Sequence, residues 1–113
     1  MSGESRLLDA AFEDLPETVR KILASEGIQV NSVRDEKGST ALHIAALLGH
    51  EKIVQLLLAD QRVNVNCRDL GGSTPLHIAA GCGYDELVQL LLDCDRVDVD
   101  TENKTGTTVV QFN

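Results

Sequence analysis

Two pairs of threonine and histidine come closest in this sequence to a catalytic arrangement. Thr40 precedes His43 by three positions, and Thr74 precedes His77 by the same interval. A hydroxyl beside an imidazole can act as a nucleophile next to its general base. A catalytic centre needs one such pair, however, whereas a duplicated pair is typical of a repeated structural part. We therefore expect a structural role for both histidines and no catalytic residues.

The cysteines are candidate metal ligands or disulfide partners. Cys67, Cys82 and Cys94 are an odd number at wide spacing, unlike the dense framework of a small secreted domain. They contain no Cys-Xaa-Xaa-Cys pair, and the interval from His77 to Cys82 matches no tetrahedral zinc motif. We expect reduced thiols, no metal and no cofactor, with Cys82 the most exposed of the three.

Composition and charge exclude several function classes. The 113 residues are 42% hydrophobic and 25% charged, as in one globular domain, but only 3% are aromatic, so the core must consist of Leu, Ile, Val and Ala. A net charge of -8 argues against nucleic-acid binding, which requires a basic surface. No apolar run is long enough for a membrane span, and the N-terminus lacks a signal-peptide pattern. We expect a monomer in the cytoplasm, the nucleus or both.

An internal repeat of 34 residues organises most of the chain. Aligning residues 34–66 with residues 68–100 gives 19 identical positions out of 33. The identities fall in a turn with a glycine, a Leu-His-Ile-Ala-Ala segment, a second glycine and a leucine-rich segment. Each unit therefore predicts a turn, a short helix, a glycine break and a second helix. Units of this kind stabilise one another by stacking.

Local signals mark the ends of these helices. Thr74 is a suitable N-cap, Pro75 fits the first helical position, and Gly83 can end the helix. Thr40 and Gly49 repeat these signals in the first copy. The apolar stripes predicted for the second helices consist of Ile53, Val54, Leu56, Leu57 and Leu58 in the first copy and of Leu87, Val88, Leu90, Leu91 and Leu92 in the second copy.

Degenerate units flank the two copies. Near the N-terminus, a break at Pro16 replaces the glycine, and the surrounding charges fit a capping repeat. Near the C-terminus, Gly106 and Thr108 restart the pattern, but the chain stops at Asn113 before a second helix. The sequence is either a piece of a longer array, which we favour, or a stack whose last helix something else covers. We predict one domain over 1–113, with units at 5–34, 35–68, 69–102 and 103–113.

These residues resemble a known family. Residues 69–80 read Asp-Leu-Gly-Gly-Ser-Thr-Pro-Leu-His-Ile-Ala-Ala, followed by Gly83 and a run of three leucines, and this pattern is similar to an ankyrin repeat. The resemblance covers residues 7–113 and departs from the family at Ala41, where proline is usual. It implies an all-α solenoid of stacked helix-turn-helix units with projecting β-hairpin-like turns.

The resemblance also implies a function, namely protein recognition by a non-catalytic adaptor or inhibitor. The alternative is a structural scaffold or spacer within a longer polypeptide. Partners are expected at the hairpin tips and on the inner face of the first helices, where the two copies differ although their frameworks coincide. The candidate partner-binding residues are Phe12, Glu13, Glu36, Lys37, Ser39, Leu47, Leu48, Leu70, Gly71, Ser73, Gly81 and Cys82.

Three of these residues predict an apolar patch. Stacking would set Phe12, Leu47 and Leu48 side by side on the inner face, where they would accept an apolar anchor from a partner unless other side chains cover them. Replacing both leucines with Glu is expected to abolish binding without unfolding the protein.

Charge and modification provide two further expectations. Seven acids between Asp85 and Glu102 accompany one base, Arg96, which favours either a partner with a basic surface or a merely soluble acidic face. The resemblance implies that Asn31 and Asn66 lie where family members undergo asparagine hydroxylation, although neither has an acid two residues before it.

Overall fold

A computed structural model describes residues 3–25, 30 and 34–97. The predicted partial unit 103–113 and Asn31 lie outside these residues. Within the described part, all regular structure is helical, as expected for the all-α class. The six helices are α1 (Gly3–Phe12), α2 (Pro16–Leu23), α3 (Ala41–Leu48), α4 (Glu51–Ala59), α5 (Pro75–Cys82) and α6 (Asp85–Leu92).

The helices form two layers. Within each unit the two helices pack together, as α1 with α2, α3 with α4 and α5 with α6. Between units, α3 contacts both α1 and α5, while α4 contacts both α2 and α6. One layer therefore consists of first helices and the other of second helices. This arrangement is the predicted stack, in which each unit buries its apolar face against its neighbours.

Left-handed backbone positions end the first helices. Gly49 and Gly83 are C-caps with φ of 75° and 76°, a conformation that glycine adopts without steric cost. In the N-terminal unit, Asp14 takes the left-handed conformation with φ of 57°, and Pro16 opens the next helix. The break predicted at Pro16 is confirmed, and it reverses the chain without a glycine.

Small side chains build the layer of first helices. Ala45, Ala46 and Ala79 are completely buried, which lets α1, α3 and α5 approach closely. Leu57 of α4 and Leu87 and Leu91 of α6 are buried in the same core. The prediction that the whole leucine run of α6 is buried is wrong at Leu92, whose side chain is 42% exposed. Leu92 is the last residue of α6 and points about 100° away from the buried Leu91.

An aspartate organises each hairpin tip. Asp35 Oδ1 accepts the backbone N–H groups of Lys37 and Ser39, both at 2.9 Å, and the Gly38 N–H donates to the Asp35 carbonyl. Asp69 makes the same contacts one repeat later. The tips also bind each other, because the Leu70 N–H donates to the Lys37 carbonyl at 3.0 Å. A Cβ on Gly38 would lie 2.9 Å from the Leu70 nitrogen, so this close approach requires glycine.

Two arginines at the ends of the repeats join successive second helices. Arg62 donates to the Leu23 carbonyl at the end of α2, and Arg96 donates to the Leu58 carbonyl near the end of α4. Carbonyls in the last turn of a helix have no partner within the helix, and these guanidinium groups provide one. The arginines were conspicuous in the sequence only as identical positions of the repeat.

Candidate functional site

The histidines that suggested catalysis hold the scaffold together. His43 Nδ1 accepts the Thr40 N–H at 3.1 Å, and Thr40 Oγ1 accepts the His43 N–H at 3.4 Å, so the pair forms a reciprocal helix cap. His43 Nε2 lies 2.9 Å from the Ser73 carbonyl of the next tip. Since a carbonyl can only accept, the Nε2 atom carries the proton. Burial lowers the pKa of His43, which keeps the ring neutral for this bridge.

The second threonine and histidine pair repeats the cap. His77 Nδ1 lies 3.2 Å from the Thr74 nitrogen, and Thr74 Oγ1 accepts the His77 N–H at 3.3 Å. Both pairs are buried. A hydroxyl that is buried and committed to a helix cap is not available to attack a substrate, so these pairs offer no nucleophile.

The cysteines differ in exposure. Cys67 is buried, burial raises the pKa of its thiol, and Arg34 donates to its sulfur at 3.6 Å. Cys94 is half-buried, whereas Cys82 is exposed at the end of α5, as expected. Among the described residues, no group of three or more His, Cys, Asp or Glu side chains is placed to hold a metal ion.

A groove of about 450 Å³, called here the inner groove, runs along the first helices beside the hairpin tips. Its apolar lining consists of Phe12, Ile44, Leu47, Leu48 and Ile78. Its polar lining consists of Asp35, Glu36, Lys37, Ser39, His43 and Asp69. An apolar floor with a charged margin on one side can hold an amphipathic segment in a defined orientation.

The predicted apolar patch lies in this groove. Phe12 is 65% exposed, Leu47 53% and Leu48 38%, so other side chains leave more than a third of each residue accessible. Leu47 and Leu48 are adjacent in the last turn of α3, whereas Phe12 ends α1, and the packing of α1 against α3 makes it their neighbour. The structure therefore brings together the three residues that the sequence placed side by side.

The twelve candidate residues divide into two sets of six. One set lines the inner groove and comprises Phe12, Glu36, Lys37, Ser39, Leu47 and Leu48. The other set lies outside the lining of the groove and comprises Glu13, Leu70, Gly71, Ser73, Gly81 and Cys82. Within the second set, Ser73 is half-buried and its carbonyl faces His43, while Leu70 is exposed at a tip. The first full repeat thus provides most of the groove.

A second cavity, which we call the acidic pocket, was not anticipated from the sequence. It has a volume of about 340 Å³ and lies where the turn after α3 meets the start of α6. Its lining consists of Leu48, Gly49, Glu51, Tyr84, Asp85, Glu86 and Leu87. The sequence feature that could have indicated this pocket is a difference between the two copies of the repeat, which have His-Glu-Lys at 50–52 and Tyr-Asp-Glu at 84–86.

Part of the predicted acidic surface falls within the described residues. Asp85, Glu86, Asp93 and Asp95 are exposed, whereas Asp98, Asp100 and Glu102 lie outside the described part. The one base among them, Arg96, donates to the carbonyls of Val63 and Leu58. Its guanidinium is therefore directed at the scaffold, and the four exposed carboxylates dominate this surface.

Asn66, the described candidate for hydroxylation, is half-buried. Its side-chain amide donates to the Arg96 carbonyl at 2.8 Å and thereby joins two repeats. Whether Asn66 is modified stays a prediction.

Comparison with known protein families gives a match over most of the chain. The family model described as ankyrin repeats (3 copies) matches residues 7–105. A search of curated proteins finds no match. Across the described residues, every helix is too short or too polar to cross a membrane.

Proposed function

Because this chain belongs to the ankyrin repeat family, whose members are generally protein-protein interaction modules, we propose that it is a non-catalytic adaptor or inhibitor. The partner is a protein that inserts an apolar anchor into the inner groove. The observation that carries this proposal is the exposure of Phe12, Leu47 and Leu48 in one concave site. Apolar side chains gathered in a concave surface gain free energy when a partner removes them from water.

The margin of the groove supports a specific orientation of the partner. Asp35 and Asp69 already accept hydrogen bonds from their own tips, so Glu36 and Lys37 are the charged side chains left to meet a partner. Both are exposed. Opposite charges at adjacent positions favour a segment that carries a base and an acid in the matching order.

The acidic surface supports a partner with basic groups near the anchor. The protein carries a net charge of -8, and long-range attraction accelerates the encounter of oppositely charged proteins. The association rate is therefore expected to fall as the salt concentration rises. An association rate that is indifferent to salt would favour a merely soluble acidic face.

The test compares binding by three forms of the protein. Phe12→Glu combined with Leu47→Glu places two carboxylates in the groove and leaves Leu48, which also lines the acidic pocket, unchanged. Leu92→Glu is the matched control, since Leu92 is similarly exposed but lies outside the groove. Quantitative mass spectrometry of proteins retained by each form, followed by calorimetry with the purified partner, measures the effect.

The expected result is a loss of affinity of at least about 100-fold for the double variant and little change for the control, since central anchors dominate interface energies. Circular dichroism should show that both variants remain folded, because the altered side chains are exposed. Equal binding by all three forms would refute the groove as the partner site. Retention of no protein by any form would instead favour the scaffold alternative.

A further inference from the structure

We propose that the acidic pocket is a second binding site, which takes an arginine side chain from a protein segment. The site is separate in mechanism from the inner groove, because it recognises a cation where the groove recognises an apolar anchor. Its recognition elements are the ring of Tyr84, the apolar walls Leu48 and Leu87, and the carboxylates of Glu51, Asp85 and Glu86.

The shape of the pocket depends on Tyr84. Its hydroxyl donates to the Leu47 carbonyl at 3.2 Å, which fixes the ring over the turn that follows α3. A Cβ on Gly49 would lie 3.4 Å from the ring, so the ring rests directly on the glycine backbone. The side chain nevertheless remains 37% exposed. A ring that is held in place and still accessible provides a rigid wall, so little conformational freedom is lost when a ligand binds.

The charge of the pocket is uncompensated within the described residues. The carboxylates of Glu51, Asp85 and Glu86 are exposed, and no cationic side chain of the described part forms an ion pair with any of them. Glu51 and Asp85 open their helices, where the helix dipole stabilises a negative charge and explains their presence. Glu86 occupies the next position, where the first repeat has Lys52, so it adds negative charge at this junction only.

The preceding junction shows the contrasting arrangement. There His50 replaces Tyr84, its Nε2 atom lies 3.4 Å from the Phe12 carbonyl, and its Nδ1 atom lies 3.7 Å from a carboxylate oxygen of Asp14. Lys52 stands where the later junction has Glu86. The first junction therefore supplies basic groups of its own, whereas the second presents an aromatic ring and three carboxylates to a base from outside.

Arginine fits this lining better than other side chains do. Its planar guanidinium can stack on the tyrosine ring while donating two parallel hydrogen bonds to a carboxylate. Its methylene groups can lie along Leu48. An apolar residue would leave the carboxylates without a partner, and an acidic residue would be repelled by them. Charge complementarity thus selects a basic residue, and the exposed ring favours arginine over lysine.

The experiment is a titration of the isotope-labelled full chain followed by nuclear magnetic resonance. The probe is the capped tripeptide acetyl-Gly-Arg-Gly-amide, and the control probe carries citrulline, which has nearly the same shape without the charge. Saturable shifts are expected at the amides of Gly49, Tyr84 and Glu86. The citrulline peptide should bind at least about fivefold more weakly, as expected for the loss of one partly exposed charged contact.

Two variants with the same change in net charge test whether the arginine peptide binds in the acidic pocket. Tyr84→His combined with Glu86→Lys copies the residues of the first junction and should weaken binding of the arginine peptide by about tenfold or more. Asp95→Lys alters an exposed acid beyond the other end of α6 and should leave binding unchanged. Should the double variant fail to fold, Glu86→Gln tests the same contact and should weaken binding severalfold.

Three outcomes would overturn the proposal. These are shifts scattered over other acidic regions such as Glu17 and Asp93, equal binding of the citrulline peptide, or equal losses in Asp95→Lys and the pocket variant. The inner groove is tested separately, because Phe12→Glu with Leu47→Glu leaves every side chain of the acidic pocket in place. That variant should therefore still bind the arginine peptide.

Discussion

The two copies of the internal repeat share a framework and differ on the surfaces they present. The turn aspartates, capping threonines, histidines and first-helix alanines coincide, and the described parts of both copies fold in the same way. At the end of the first helix, however, Leu47 and Leu48 stand where the second repeat has Gly81 and Cys82. The first copy consequently forms the wall of the inner groove, and the second copy provides most of the acidic pocket.

Their neighbours differ as well. The first repeat lies between α1 and α2 on one side and α5 and α6 on the other, whereas the described neighbours of the second repeat lie only on the side of the first. Val54 is completely buried in α4, while the equivalent Val88 in α6 is half-buried. Identical residues are therefore expected to contribute differently to the free energy of unfolding, and substitutions at matched positions can measure the difference.

The largest expected difference concerns this valine pair. Val54→Ala removes two fully buried carbons and leaves a cavity, so the free energy of unfolding should fall by about 2.5 kcal/mol. Val88→Ala should cost about 1 kcal/mol, because solvent already reaches its side chain. Urea denaturation followed by circular dichroism measures both values. Equal losses would show that the two second helices are equally enclosed.

The arginine pair should show a smaller difference in the opposite direction, because here the residue of the second repeat, Arg96, is the more buried one. Arg96→Gln removes charged hydrogen bonds from a half-buried guanidinium to the Leu58 and Val63 carbonyls and should cost about 2 kcal/mol. Arg62→Gln should cost less, since the Arg62 side chain is 43% exposed and part of its interaction is an ion pair with Asp60, only two residues away. Thermal unfolding of both variants tests this order. A larger loss at Arg62 would contradict it.

A third pair compares the residues that distinguish the two first helices. Gly81 is helical and exposed, and a Cβ there would have no neighbour within 4 Å, so Gly81→Ala should stabilise the protein by about 0.7 kcal/mol. Leu47→Ala should change stability by less than about 0.5 kcal/mol, because Leu47 is exposed. Destabilisation by Gly81→Ala would indicate that something packs on this position.

The smallest expected effect is the pH dependence that His43 gives to the free energy of unfolding. The pKa of His43 is lowered in the folded protein, so the unfolded chain binds the proton more tightly. The stability provided by neutral His43 is complete above its unfolded pKa near 6.5 and declines as the pH falls toward the folded value. The free energy of unfolding should decrease from pH 7 to pH 5 more steeply in the native protein than in His43→Gln. Parallel pH profiles would exclude this coupling.

Local signals made the helices predictable from the sequence. Thr74, Pro75 and Gly83 mark the ends of α5 through chemistry that involves only a few neighbouring residues, and α5 spans Pro75–Cys82 as those signals require. The exposure of Leu92 was missed because a leucine run identifies a buried helix without specifying which of its leucines turns outward. The duplicated spacing of the histidines correctly indicated a scaffold role.

The contacts between repeats were harder to predict. Arg62 and Arg96 bind backbone carbonyls 39 and 38 positions earlier. Every residue has a backbone carbonyl, so the residue types do not show which carbonyl accepts the hydrogen bond. Disagreement between the copies identified exposed positions but could not separate those in the inner groove from those at a tip. That separation depends on how α1, α3 and α5 pack. The acidic pocket was missed for the same reason, because it forms only where two repeats meet.

The hydrogen bonds that join successive repeats have a mechanical consequence. Those from Arg34, His43, Arg62, Leu70, Tyr84 and Arg96 reach 30 to 39 positions along the chain, about the length of one repeat. Under a force along the stack every junction would carry the same load, but the contacts at each junction could break without those at the next, so repeats would separate one at a time. Extension of the protein would therefore proceed in steps, each about one repeat long.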